Sequence, residues 1–293
     1  MLQRFEATRA ALALTAILLV AIPALTQAQD DNAFPDYTPP RTEHGTPDLQ
    51  GIWQSFSTAN WNIVSHGVEP GPFPETLGAW GALRASFGIV EGDEIPYQDW
   101  ALEERQQNYD NRTVVNVTND PRRFDTGDPE MQCFRAGVPR ANYMPFPFQI
   151  FQTPEQILIV YEYKGAYRTI YMDYDRPRLD ASWMGTSNGE WDGDTLVVDV
   201  AGFNNHLWLD RAGNFASDSL HVVERWTRVS PYHMRYEATI EDPTVFTRPW
   251  DISFMLYRHV EENAELKEFQ CIPIVEPMMY KPLGFYEEDV SND

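Results

Sequence analysis

Leu220-His221-Val222-Val223-Glu224-Arg225-Trp226-Thr227-Arg228-Val229-Ser230-Pro231-Tyr232-His233-Met234-Arg235-Tyr236-Glu237-Ala238-Thr239-Ile240 reads as two strands around one turn. Side chains in a strand alternate between faces, so Leu220, Val222, Glu224 and Trp226 share one face and His221, Val223 and Arg225 share the other. Ser230-Pro231 suits the start of the turn between them. The same period of two recurs at residues 157–163, 167–173, around Trp183, and at 194–200, 252–260 and 266–272. Asp192-Gly193 supplies a tight hairpin, which needs positive φ. Seven or more strands joined mostly by short turns predict an antiparallel meander, and closing it into a barrel removes its unpaired edges.

Upstream of residue 148 the alternation stops. A short helix is expected over 75–87 and another from Asp99, which can cap Trp100, Leu102, Glu103, Glu104, Arg105 and Gln106. Residues 111–147 read as loop. Together these make a helical and loop insertion at about 57–147 within one barrel domain, 48–293. An extended, Pro-rich arm (29–47) precedes it. At the front, Arg4 and Arg9 flank an apolar run from Ala10 to Ala24, and Thr26-Gln27-Ala28 supplies small residues for cleavage. That order is a secretory signal peptide over 1–28, too short in its apolar part to span a bilayer. The mature chain is expected from about Gln29, in the periplasm or outside the cell.

The chain has 22 basic and 44 acidic residues, a net charge of −22. That field repels phosphate backbones, so no nucleic acid partner is expected, and no later segment is apolar enough for a membrane span to be expected. The two cysteines, Cys133 and Cys271, are expected to pair as a disulfide in an oxidising compartment.

Gly51-Ile52-Trp53, opening the first strand after the arm, is similar to the Gly-x-Trp signature of lipocalins. The resemblance implies that Trp53 packs across the closed end of a lipocalin-like barrel, with Arg225, Arg228 or Arg258 over it. Gly45-Thr46-Pro47-Asp48-Leu49-Gln50-Gly51-Ile52-Trp53 also resembles the opening of an uncharacterised family of secreted bacterial proteins. Gly137-Val138-Pro139-Arg140 and the stretch Gly189-Glu190-Trp191-Asp192-Gly193-Asp194-Thr195-Leu196-Val197-Val198-Asp199 resemble the same family. This second resemblance covers residues 45 to about 272 and implies no reaction.

Among candidate reacting groups, His221 has an ordinary pKa near neutrality and suits acid–base work. The more apolar face of its strand carries Glu224, which would put Glu224 inside and His221 outside; the counts leave the register open. Asp210 or Glu190 is placed to orient His221 if it faces a cavity. The connection 204–219 gathers Asn204, His206, Trp208 and Asp210 and is expected to cover the open end of the barrel. Arg140 or Arg225 would hold an anionic group of a ligand, with Glu224 beside it. The spacings of His206, Asp210 and His221 match no compact metal motif, and no glycine-rich phosphate loop is present, so neither metal nor cofactor is expected. Nine Trp, fourteen Tyr and sixteen Phe favour a hydrophobic small molecule as partner. Two functions remain open. One is a cofactor-independent lyase or hydratase, isomerase or cyclase acting on a terpenoid, steroid or aromatic substrate, for which the analogy to carotenoid hydratases is one of fold alone. The other is a carrier without catalysis.

Overall fold

The computed structural model describes residues 37–71, 81–112, 127–172, 176–177 and 181–271. The signal peptide over 1–28, the start of the arm to residue 36, and residue 272 onward lie outside the described residues.

In chain order the first elements are β1 (Gly51–Ser55), β2 (Glu69–Pro70), β3 (Ala82–Leu83), α1 (Asp99–Asn111) and α2 (Arg140–Tyr143). There follow β4 (Phe148–Gln152), β5 (Gln156–Tyr161), β6 (Tyr167–Met172), β7 (Thr186–Asp192) and β8 (Thr195–Ala201). Then come β9 (Leu207–Trp208), β10 (Phe215–Ala216), β11 (His221–Arg228), β12 (His233–Glu241) and β13 (Trp250–Arg258). Nine of the strands form a closed barrel in the order β1-β13-β12-β11-β8-β7-β6-β5-β4, with β1 pairing back to β4. The expected meander is therefore present, with one departure. β6 and β7 run parallel, Ile170 opposite Ser187, while the other barrel neighbours are antiparallel.

Alternation sets the interior. Leu196, Val198 and Val200 of β8, Val222 and Trp226 of β11, and Met234, Tyr236 and Ile240 of β12 are all buried. Trp226 meets Tyr236 and Phe148 edge-on, with ring centroids 4.8 and 6.0 Å apart, the arrangement that aromatic quadrupoles favour. Gly193 turns β7 into β8 with φ +62°, the left-handed geometry that the Asp-Gly pair supplies cheaply.

One end of the barrel is sealed by Trp53, which is fully buried. The guanidinium carbons of Arg228 and Arg258 lie 5.9 and 6.0 Å from its ring centroid, while Arg225 points outward and pairs with Asp192 at 2.8 Å. Gly51 is needed here: a Cβ on it would stand 3.0 Å from the Arg258 Nε.

At the other end lie α1, α2 and the long connections. Parallel pairing of β6 with β7 obliges the connection 173–185 to return to the end where β6 began. After β13, the chain runs back past β1, where the His259 N–H donates to the Ile52 carbonyl at 2.9 Å. It reaches Cys271, which is bonded to Cys133 across 138 residues.

Three expectations are corrected. Residues 266–271 form no strand, because β1 already occupies the edge of β13 and closes the barrel. Ala82 and Leu83, expected in a helix, pair with β2; residues 75–80 of that expectation lie outside the described residues. Asp99 is the first residue of α1, not its cap, and no side chain caps that helix.

Candidate functional site

The single turn α2 closes the barrel from within. Its Arg140 forms a two-pronged ion pair with Asp128, at 2.8 and 2.7 Å, and donates through Nε to Asn60 Oδ1 at 2.8 Å. All three residues are buried. Burial opposes the charge on Arg140, but the Asp128 carboxylate more than restores it, so the guanidinium pKa lies above its ordinary value. Two residues on, Asn142 donates to Glu224 Oε1 at 2.9 Å and accepts from the Tyr161 hydroxyl at 2.8 Å. Tyr143 donates its hydroxyl to the Leu209 carbonyl at 2.6 Å.

Beneath α2, inside the barrel, Glu224 of β11 is fully buried. It accepts from Arg168 Nη2 at 3.0 Å and from the Tyr236 hydroxyl at 2.8 Å, and its Oε2 lies 2.8 Å from Arg168 Nη1. Burial, and then the Glu224 charge, push the Tyr236 phenol well above its ordinary pKa; burial does the same to Tyr161. Both phenols therefore stay protonated as donors.

The acid–base trio expected from sequence is not assembled. His221 stands on the outer face of β11, where its ring nitrogens meet Asp199 at 2.7 Å and Glu241 at 3.1 Å. Asp210 is fully buried and takes N–H bonds from Ile63, Ala212 and Asn214, and from the Asn214 side chain. It makes no hydrogen bond to His221. Burial pushes the Asp210 carboxyl up to about 6, against the pull of the Asn214 and Ile63 donors. Glu190 is exposed on the outer face of β7. Arg140 and Arg225, expected to hold an anion, are committed to Asp128 and Asp192 respectively. Glu224 is the one member of the list that faces the lumen, and Arg168 neutralises it there.

The 204–219 connection does lie at the loop-bearing end. His206 and Trp208 line a polar groove of about 260 Å³ with Gln107, Asn108 and Asn111 of α1. Asn204 turns inward on its own loop, accepting the His206 N–H at 3.1 Å.

A second cleft, of about 280 Å³, opens beside the disulfide. Trp61, Met131, Phe146, Tyr163 and Phe269 wall it, and Arg211 with Glu130 form its polar floor. Phe146, Tyr163 and Phe269 pack on one another, with centroids 4.5 to 5.6 Å apart. Arg211 forks onto Glu130 at 2.7 and 3.1 Å and stacks over the Trp61 ring at 4.4 Å. Burial works against the Glu130 charge, but Arg211 and Arg140 outweigh it and hold the carboxyl below its ordinary pKa.

Sequence reasoning missed Arg168, although its position was readable: in Arg168-Thr169-Ile170-Tyr171-Met172 it shares the phase of the two apolar, inward residues. Asp128, Glu130, Asn60 and Arg211 sit on irregular backbone, where no period assigns a face. Among the described residues, no group of three His, Cys, Asp or Glu side chains is gathered to hold a metal. No family model, no curated protein and no solved structure matches the chain.

Proposed function

We propose that this protein is an exported carrier that binds an apolar, ring-bearing small molecule in the cleft beside the disulfide, without chemistry upon it. The observation that carries this reading is the wall of that cleft. Four aromatic residues, Trp61, Phe146, Tyr163 and Phe269, surround one polar floor whose two charges are already paired. Such a site gains from apolar contact and ring stacking, and the floor fixes orientation. Against the acid–base alternative, His221 and Glu190 stand on the outer faces of β11 and β7, while Asp210 is buried among the donors of its own loop and Ile63. Export is supported by the order of features over 1–28 and by the Cys133–Cys271 bond, which suits an oxidising compartment. Among the described residues no helix is long and apolar enough to cross a membrane.

Native mass spectrometry of the protein taken from its own periplasm should show an adduct of a single apolar compound. Titration with the neutral fluorophore N-phenyl-1-naphthylamine should saturate at one site. Trp61→Ala and Phe269→Ala should each weaken that binding about tenfold, the scale of one lost aromatic contact together with its buried area. Unchanged affinity in both variants refutes the cleft. Recovery of a chemically altered compound after incubation refutes the carrier.

A further inference from the structure

One buried carboxylate ties together the two loops that carry Trp61 and Arg211 to the aromatic cleft. Asp210 Oδ1 accepts the Ala212 and Asn214 N–H groups at 2.8 and 3.1 Å, which folds its own loop into a turn. Its Oδ2 accepts the Asn214 side-chain amide at 2.6 Å and the Ile63 N–H at 2.9 Å. The bond from Ile63 spans 147 residues of sequence and joins the two loops. A backbone bond runs beside it, from the Arg211 N–H to the Asn60 carbonyl at 2.9 Å. Each loop places one residue of the cleft next to this tie. Trp61 stands two positions before Ile63, and Arg211 directly follows Asp210. The Arg211 guanidinium lies over the Trp61 ring while it holds Glu130, so the wall and the floor of the cleft meet at this junction.

Every partner of Asp210 is a donor. Among the described residues, no carbonyl or hydroxyl is placed to accept a proton from it. That arrangement suits a carboxylate, which only accepts, and conflicts with the acid, whose O–H must donate. Asn214 cannot resolve the conflict by turning its amide over. Its Oδ1 already takes the Tyr97 hydroxyl at 2.9 Å, which keeps Nδ2 aimed at Asp210.

The charged and titratable groups around Asp210 come from three other elements. Arg140 and Tyr143 belong to α2, Tyr97 precedes α1, and α1 itself packs on the turn through Gly213 and brings Arg105, whose charge reaches Tyr97. Burial raises the Asp210 carboxyl to about 6, further than the Asn214 and Ile63 donors and the Arg140 charge draw it down. Burial, and then the Asp210 charge, hold the Tyr97 and Tyr143 phenols above their ordinary pKa, so neither titrates in the same range. The described lining of the cleft keeps its charge there too. It contains no histidine. Against burial, Arg211 and Arg140 hold Glu130 below its ordinary value, and burial keeps the Tyr163 phenol above its own.

We propose that Asp210 is a positioning residue of the aromatic cleft and its pH-sensitive latch, holding Trp61 against Arg211 as a carboxylate and releasing the Ile63 tie when it takes up a proton. Protonation brings a fifth hydrogen to a group on which four already converge, and one bond must yield. Three of the four lie within the 210–214 turn. The Ile63 bond joins separate segments, and it is the one free to open. This inference rests on the carrier reading and adds regulation to it: cargo is held near neutral pH and let go in acid.

The test titrates the mature full chain with N-phenyl-1-naphthylamine, which stays neutral throughout, at pH 7.5 and pH 5.0. Affinity should fall about tenfold in acid, the scale of one lost aromatic contact. Asp210→Asn puts an amide N–H where the acid would carry its O–H, and it should bind weakly and equally at both pH values. Binding and protonation are linked reciprocally, so saturating fluorophore should lower the Asp210 midpoint by about one unit for a tenfold preference. Nuclear magnetic resonance of the unaltered protein without fluorophore supplies a measurement that needs neither ligand nor variant. The Ile63 amide and the Trp61 indole N–H should shift together with a midpoint near the Asp210 value of about 6. Equal affinity at the two pH values, a pH dependence that survives in Asp210→Asn, or Ile63 and Trp61 signals that follow no common proton overturns the latch and leaves the carrier reading standing. Failure of the fluorophore to bind at either pH refutes the carrier reading instead, and the resonance titration then decides alone whether Asp210 governs Trp61.

Discussion

The two ends of the barrel are closed by different physics. At the Trp53 end one ring fills the opening and arginines cover it. Arg228 donates to the Asp48 and Pro231 carbonyls at 2.9 and 3.0 Å, and among the described residues no buried carboxylate pairs with it. At the α2 end, arginines Arg140, Arg168 and Arg211 each meet a buried carboxylate. Taking such ions out of water is costly, and the cost is recovered only while both partners and their hydrogen bonds are in place. The first end is a seal that tolerates local change. The second is rigid but brittle, and both the aromatic cleft and the polar groove of His206 and Trp208 are found there.

The sharpest way to break this comparison is to remove one partner at the α2 end. Arg140→Leu leaves Asp128 buried and unpaired, and should cost about 3–5 kcal/mol in chemical denaturation. Adding Asp128→Leu should return part of the loss, and a single-variant loss below about 1 kcal/mol would equate the two ends. Next in size is the disulfide. Replacing both Cys133 and Cys271 with Ser should cost about 2–4 kcal/mol, since the bond closes a long loop in the unfolded chain; an unchanged melting temperature would show that the strap is held by other contacts.

A pH series sharpens the contrast further. The folded pKa of Asp210, about 6, exceeds its ordinary value of 3.8, so the native state holds this proton more tightly than the unfolded chain does. The resulting stabilisation is complete below about pH 4 and is lost as pH rises through about 6. Stability of the unaltered protein relative to Asp210→Asn should therefore fall by about 1–3 kcal/mol between pH 4 and 7. A rise over that window would mean that the N–H donors outweigh burial. The smallest effect belongs to the Trp53 end: Arg258→Met should cost about 0.5–1 kcal/mol, the lower range for one cation–aromatic contact.

Legibility in the sequence followed the same division. The strands β5, β6, β8, β11, β12 and β13 announce themselves because each places alternate residues against one apolar interior, and Asp192-Gly193 marks its turn. The resemblance around Gly51-Ile52-Trp53 pointed to arginines over the ring, and Arg228 and Arg258 lie there. The phase that buries Val222 and Trp226 also buries Glu224 and turns His221 outward. The α2 end was not legible. Its polar side chains meet across large sequence separations, as in Arg140 with Asn60 or Glu130 with Arg211, and irregular backbone has no period from which a face can be read. The parallel turn of β7 was hidden for a related reason, since alternation reveals a strand's faces but not its direction relative to its neighbour.

On the carrier reading proposed above, the helix α2 also bears on how a ligand would come and go. It is four residues long, and Arg140, Asn142 and Tyr143 fasten it to the 128 loop, to the barrel strand β11 and to the 209 loop. A lid tied at three points cannot swing without breaking all three ties, which sets the mouth of the barrel apart from the open cleft at its flank. A ligand of the proposed cleft would then exchange at the flank, past Phe269 and Cys271. On the carrier reading, residence time is set by the few residues around Phe269 that the disulfide anchors, and an oxidised and a reduced sample of equal affinity should differ in how long they keep a bound fluorophore.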